Sequence, residues 1–207
     1  MNKLIFATSN NGKFSWLERE LAIAGLDHIK PVQQPMDLTE IQSIDIAEIS
    51  LFKARQAFEK LQTPVLVHDG GFYINGLNGF PATYTKDMIE TIGIETIARI
   101  VSVLDDKHCC FKNVATLIYG PNDYQQFHDT TDDIFTLTSQ LWPEDHPKQW
   151  SALWRVLIPS KFGYTKPLAG FSEQDLTDYM DKRRDADNAS ALKECVAYLK
   201  QQSLLAA

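Results

Sequence analysis

Several short stretches of this sequence carry residue types suited to phosphate, metal or proton chemistry. The first is Thr8-Ser9-Asn10-Asn11-Gly12-Lys13, between a strand-like run and an amphipathic helix pattern. A helix start offers free backbone N–H groups and a positive dipole end, both suited to a phosphate. Ser9 and Asn10 add side-chain donors and Lys13 a full charge. The plainer reading is that Ser9 or Asn10 caps the helix and Lys13 is solvated. The stretch is not a P-loop, because it lacks the flanking glycine and the Lys-Ser/Thr pair.

The second stretch, His68-Asp69-Gly70-Gly71, follows the β-branched run Val65-Leu66-Val67. Ligands of open α/β sheets gather at the carboxyl ends of strands. A carboxylate there, beside small residues, can hold a hydrated magnesium ion or orient a water. The competing reading is a turn in which Asp69 bonds its own backbone and the glycines supply positive φ. His68 reads as a ligand or as polar rim. Glu40 sits in a loop, where a lone glutamate is ordinarily solvated. Lys53 follows Ile49 by four residues, on or beside a buried helix face, so it must snorkel or find an anion. Lys86, after the loop Gly79-Phe80-Pro81-Ala82-Thr83-Tyr84, could reach back over the site. Phe162-Gly163-Tyr164 places two aromatics around a glycine, an arrangement able to stack a base. Lys182-Arg183-Arg184 reads as a solvated basic face.

The elements that must position these residues follow from periodicity. Leu4 to Thr8 predicts a short buried strand. Phe14, Leu17, Leu21 and Ala24 predict a first helix, and Ile46, Ile49, Ala54, Ala57 and Phe58 a second over about 45–61. Val65 to Val67 predicts a strand that His68-Asp69-Gly70-Gly71 breaks and Phe72 to Ile74 can resume. Ile89, Ile92, Ile97, Val101 and Leu104 predict helix, jointed at Gly93. Phe111 to Tyr119 and Tyr124 to Leu137 predict two long strands about the turn Gly120-Pro121-Asn122-Asp123. Trp142, Trp150 and Trp154 lie in an irregular segment and suggest packing. Ala189, Leu192, Val196 and Leu199 predict a last helix. Strand–turn–helix units followed by a hairpin give a mixed sheet with helices on its faces.

Composition bounds the function. The 207 residues suffice for one large domain, or a core with a sub-domain. A net charge of -7 argues against a nucleic-acid polymer as partner, though clustered lysines can still hold a small anion. Cys109, Cys110 and Cys195 lack metal-ligand spacing and read as reduced, structural thiols. The N-terminal apolar run is too short for a signal peptide, and no apolar stretch spans a membrane. Those features predict a soluble cytoplasmic protein.

Taken in order, these motifs resemble the inosine triphosphate pyrophosphatase (Ham-like) family. Thr8-Ser9-Asn10-Asn11-Gly12-Lys13 is similar to its opening Thr-Gly-Asn-x-x-Lys, with Ser9 for glycine. Glu40 matches its loop glutamate, and Ile49-Ser50-Leu51-Phe52-Lys53-Ala54 its helix with a phosphate-binding lysine. Val65 to Phe72 resembles its strand ending in an acidic pair, with Asp69 as the second, catalytic acid and His68 in place of the first. Leu77 to Lys86 follows its Leu-Gly-Gly-x-Pro-Gly-x-Tyr pattern. Phe162-Gly163-Tyr164 resembles its Phe-Gly-aromatic-Asp-Pro, with Thr165-Lys166 replacing Asp-Pro. Lys182 matches a further substrate lysine. The family's base-reading Ser-His-Arg aligns with Ala186-Asp187-Asn188, none of which is retained.

The resemblance implies a single α/β domain over residues 1–207, an elongated mixed β-sheet flanked by helices, with two lobes and a central cleft. It implies magnesium-dependent hydrolysis of non-standard purine nucleoside triphosphates to monophosphate and pyrophosphate, a nucleotide-pool cleansing role, and a homodimer. Glu40 and Asp69 are the implied catalytic and metal-binding pair. Thr8, Ser9, Asn10, Lys13, Lys53, Gly70, Lys86, Phe162, Gly163, Tyr164 and Lys182 are the implied substrate contacts. Two alternatives remain: a nucleotide-binding protein with altered catalysis, and a pyrophosphatase of different base specificity. Asp187 or Asn188 in a base pocket would favour amino-bearing bases or flatten the preference. Arg183 or Arg184 could instead supply the missing donor.

Overall fold

The computed structural model describes residues 2–129, 133–186 and 190–205. The chain alternates strands and helices: β1 (Lys3–Phe6), α1 (Asn11–Ile23), β2 (Lys30–Gln33), α2 (Ile46–Leu61), β3 (Val65–Ile74), β4 (Pro81–Ala82), α3 (Thr85–Ile92), α4 (Ile94–Ser102), β5 (His108–Gly120), β6 (Asp123–His128), β7 (Asp133–Leu137), β8 (Leu157–Ile158), α5 (Glu173–Ala186) and α6 (Ala191–Leu205). Hydrogen bonding orders the strands β2-β1-β3-β5-β7-β8, with β4 on β3 and β6 on β5. The result is the expected mixed sheet with helices packed on it. The chain divides into two compact units, one of Met1–Gly70, Asn113–Thr130 and Ala189–Ala207, the other of Gly71–Lys112 and Thr131–Asn188.

In the first unit β1 runs parallel to both β2 and β3, with Ile5 beside Val65 and Phe6 beside Leu66. Parallel strands are covered on both faces, so their sequences are apolar throughout rather than alternating. Leu4, Phe6 and Leu66 pack with Leu17 and Leu21 of α1 and Leu192, Val196 and Leu199 of α6. Ile5, Val65 and Val67 face the other way, onto Ala54 and Ala57 of α2. Each Val, Leu, Ile and Phe among these contributes about 1.5–3 kcal/mol by leaving water. Ser50 of α2 bonds Thr116 of β5 at 2.7 Å, and Gln126 of β6 donates to Thr116 and to the Ala47 carbonyl, so this buried polar group is satisfied.

In the second unit β3 pairs antiparallel with β4 and β5 with β7. Its core gathers Phe72, Ile97, Val101, Phe135, Leu153, Trp154, Leu168 and Tyr179. The tryptophan segment divides: Trp154 is buried, Trp142 packs on this core, and Trp150 is 61% exposed. A Cβ on Gly170 would come within 2.7 Å of the Trp142 ring, so glycine is required there. Gly93 joins α3 to α4 at φ 79, as its position in the helical pattern suggested.

Three differences from the sequence reading have physical causes. β3 continues through His68-Asp69-Gly70-Gly71, because β4 supplies partners for Phe72 and Tyr73 and Gly71 lies where a Cβ would meet the Ala82 carbonyl at 2.9 Å. Gly71 therefore serves close backbone approach rather than a turn. The run Tyr124 to Leu137 forms two strands, β6 pairing with the later part of β5 and β7 with its start. α5 was not anticipated, although Ser172 and Asp175 form a reciprocal cap at its start, each backbone N–H bonded by the other side chain at 2.9 and 3.1 Å. The last helix matches the prediction, while Ala189 lies outside the described residues.

Candidate active site

The alternation of β3 decides which side chains reach which helix. Leu66 faces α1, so His68 does too, while Val67 and Asp69 face α2. The His68 ring meets Trp16 of α1 edge-on at 6.2 Å between centroids. Asp69 instead receives Lys53 of α2 at 2.6 Å. His68 is thus neither rim nor part of an acidic pair. It is 5% exposed, and both its ring nitrogens are buried without a protein partner. Burial, reinforced by the nearby Lys13 charge, pushes its pKa well below the ordinary value, so the imidazole is neutral.

Lys53 sits on the buried face of α2, one turn beyond Ile49 and one before Ala57. Asp45 caps that helix by accepting from the Ala47 N–H at 2.8 Å. The Lys53 ammonium donates to Asp69 Oδ1 at 2.6 Å and Glu40 Oε1 at 2.7 Å. Burial alone would lower its pKa, but the two carboxylates outweigh burial and hold it above the usual lysine value. Glu40, a solvated loop glutamate by sequence, is 65% exposed in its side chain and yet ion-paired. Asp69 Oδ2 is buried and has no protein partner.

Lys13 approaches from the start of α1. Asn10, not Ser9, is the cap, its Oδ1 accepting from the Lys13 N–H at 3.0 Å. A Cβ on Gly12 would lie 3.2 Å from that Oδ1, so glycine leaves room for the cap. Thr8 Oγ1 accepts from the Asn10 N–H at 3.1 Å and fixes the loop. The Lys13 ammonium donates to the His68 carbonyl at 2.9 Å. Burial, with repulsion from Lys53, lowers its pKa against the opposing pull of Asp69 and Glu40. Lys13, Lys53, Glu40 and Asp69 therefore form one charge cluster. Ser9 and Gly70 are exposed beside it in sequence.

The match to known families agrees with this geometry. A model described as the Ham1 family matches residues 4–136. The chain belongs to the Ham1 family. That matched stretch contains every member of the charge cluster. A dITP/XTP pyrophosphatase of Methanopyrus kandleri is 36% identical over 112 residues, 54% of this chain and 58% of that protein. An inosine triphosphate pyrophosphatase 2 of Trypanosoma cruzi is 30% identical over 131 residues, 63% of this chain and 65% of that one. The aligned part thus spans about three fifths of the length of these curated relatives. Among solved structures, a HAM1 protein from Coxiella burnetii superposes with a TM-score of 0.71 at 19% identity, covering 97% of this chain and 100% of that one. The Staphylococcus aureus Ham1 protein gives 0.70 at 16%, covering 97% and 99%. These two show the fold of the Ham1 family over nearly the whole chain.

The second unit gathers another part of the predicted set. Lys182 Nζ stands 4.7 Å from the centre of the Tyr164 ring. Tyr164 packs on Phe171 at 4.7 Å, and both Tyr164 and Phe162 meet Tyr179 edge-on. Gly163 adopts φ +80, which permits the turn between the two aromatics. The Tyr164 hydroxyl is buried without a hydrogen-bond partner. Lys166, which with Thr165 stands where the resemblance places Asp-Pro, bonds Asp175 at 2.8 Å and supports the start of α5. Lys86 lies at the first turn of α3, 83% exposed, with Glu90 at 3.8 Å. Asp187 and Asn188 lie outside the described residues. Sequence reasoning missed Trp16 beside His68 and Tyr179 beneath Phe162 and Tyr164; strand parity and the Ser172/Asp175 cap were the available signals.

All three cysteines are buried and none is in a disulfide, as expected of structural thiols. Among the described residues, no helix is long and apolar enough to cross a membrane.

Proposed function

We propose that this chain hydrolyses nucleoside triphosphates to monophosphate and pyrophosphate with a divalent metal, magnesium by preference. The observation that carries this reading is the convergence of Glu40 and Asp69 on one cationic point, at 2.7 and 2.6 Å, with one buried Asp69 oxygen left over. Magnesium suits that donor set, since it takes one or two carboxylates and completes its shell with water and substrate phosphate. Among the described residues, no group of three or more His, Cys, Asp or Glu side chains is placed to hold a metal ion. Glu40 and Asp69 would hold the ion. When bound, it supplies neutralisation of phosphate charge and lowers the pKa of the attacking water.

The chain's own residues account for the rest. Asp69 takes a proton from the attacking water. The water oxygen bonds to the α-phosphorus, and the bond from that phosphorus to the oxygen bridging the β-phosphate breaks, releasing pyrophosphate. Lys13 and Lys53 bind phosphate oxygens and offset the charge gathering on the leaving group. Thr8, Ser9, Asn10 and Gly70 supply donors beside them. Lys86, Phe162, Gly163, Tyr164 and Lys182 are the remaining proposed substrate contacts.

The relatives' names, dITP/XTP and inosine triphosphate pyrophosphatase, support deaminated purine nucleotides as the substrate class and pool cleansing as the task. Ala186-Asp187-Asn188 in place of Ser-His-Arg supports a base preference shifted from that of those relatives. We further propose a homodimer in the cytoplasm; light scattering that gives a monomer at micromolar concentration overturns the dimer. The function itself is tested by product analysis over a panel of nucleotides, with magnesium and with excess chelator. Pyrophosphate as first product, lost in chelator, is expected. Orthophosphate as first product, or full activity in chelator, refutes the reading.

A further inference from the structure

We infer that Lys53 is a built-in competitor for the metal position, so that a divalent ion binds Glu40 and Asp69 tightly only when an anionic phosphate group draws the lysine away. This inference rests on the proposed function only in taking those two carboxylates as the metal ligands.

The argument is geometric. One ammonium lies at hydrogen-bonding distance from both carboxylates, 2.7 Å from Glu40 and 2.6 Å from Asp69. A metal shared by the same oxygens must stand close to the same place, and a +1 and a +2 charge cannot share it. Lys53 is able to leave, because a lysine is a point charge on a flexible four-carbon stem. Lys13 is not its equivalent: it has no carboxylate partner within ion-pair distance among the described contacts, and its ammonium is tied to the His68 carbonyl at 2.9 Å. Nor does His68 offer the metal an extra ligand on this face, because strand alternation turns its ring toward Trp16. The carboxylates therefore have two alternative cations, and the lysine two alternative anions. Exchanging partners lets phosphate and metal each assist the other. That mutual assistance is a coupling between two ligands, equal in both directions by linkage.

The test is Mn²⁺ binding to the full chain without nucleotide, read from the electron paramagnetic resonance signal of free Mn²⁺. Lys53→Met removes the competing charge, and its Mn²⁺ affinity is expected to rise about tenfold or more, the scale of one charge pair near a protein surface. Lys53→Arg keeps the charge and is expected to stay as weak as the natural chain. Lys53→Met/Asp69→Asn must lose the gain, which assigns it to this site. An unchanged or weaker affinity in Lys53→Met overturns the inference. Should Lys53→Met fail to fold, the natural chain decides. Sulfate, an anion for Lys53 that chelates Mn²⁺ poorly, is expected to tighten Mn²⁺ binding over chloride at equal ionic strength, and no difference overturns the inference. Failure here is separable from failure of the hydrolase reading. A chain that releases pyrophosphate yet shows no effect of Lys53→Met on Mn²⁺ affinity keeps its function and loses this device.

Discussion

The charge cluster of the first unit and the aromatic cluster of the second hold their cations by different means. Lys53 is clasped by two carboxylates at 2.6 and 2.7 Å, whereas Lys182 rests 4.7 Å above the ring of Tyr164. Ion pairs of the first kind are strong and exchangeable, since another cation or anion can replace either side. A cation over a ring is worth only about 0.5–2 kcal/mol, and the ring stays where packing puts it. Each cluster also leaves a buried polar atom without a partner: Asp69 Oδ2 in the first, the Tyr164 hydroxyl in the second. An unpartnered buried group costs about 1–3 kcal/mol, so neither oxygen adds to the stability of its cluster. The first cluster is held by exchangeable charge, the second by packing.

Substitutions can break that contrast. The largest effect is expected from Asp69→Asn, which keeps shape and removes charge. Pyrophosphate release should fall at least about a hundredfold while the circular dichroism spectrum is unchanged. Near-normal turnover would remove Asp69 from its assigned role. Next comes Gly170→Ala, whose added methyl meets the Trp142 ring at 2.7 Å. Urea unfolding should show a loss of about 1–3 kcal/mol, as overpacking does. An unaltered midpoint would mean that this wall is looser than the contacts imply.

The third effect is on pH dependence. His68 has a folded pKa well below its unfolded value near 6.5, so it contributes stability above that pH. As pH falls below about 6.5 the unfolded chain takes up a proton that the buried ring refuses, and stability drops by up to about 1.4 kcal/mol per pH unit until the folded pKa is reached. In metal-free protein, His68→Leu should flatten that part of the stability curve relative to the natural chain; parallel curves would contradict the assignment. The smallest effect is expected from Tyr164→Phe. Deleting a buried hydroxyl that has no protein partner breaks no hydrogen bond, so stability should hold or rise slightly. If the hydroxyl meets substrate, KM rises while kcat holds. Unchanged KM would confine Tyr164 to packing.

Much of this was legible in the sequence because it is local. The Asn10 cap, the apolar face of α2 with Lys53 upon it, the joint at Gly93 and the final helix each depend on spacings within a turn or two. The order of motifs from Thr8 to Lys86 was enough to suggest the Ham1 family. α5 was legible as well, through Ser172 and Asp175, but its weakly apolar sequence hid it.

What the sequence alone determined was a set of residue types in sequence order, with the local geometry that helix and strand periods impose. It could not determine which partners would meet. Lys53 lies 13 residues from Glu40 and 16 from Asp69, and only the packing of α2 on β3 brings the three together. Likewise, whether His68-Asp69-Gly70-Gly71 would turn or continue depended on β4, a strand of two residues that pairs only through tertiary contact. Because the strand continues, its two-residue period sends His68 to α1 and Asp69 to α2. Neighbours in sequence thereby become a buried neutral ring and an ion-paired carboxylate, since a strand's pairing is set by residues distant along the chain and its pairing fixes the face on which each side chain stands.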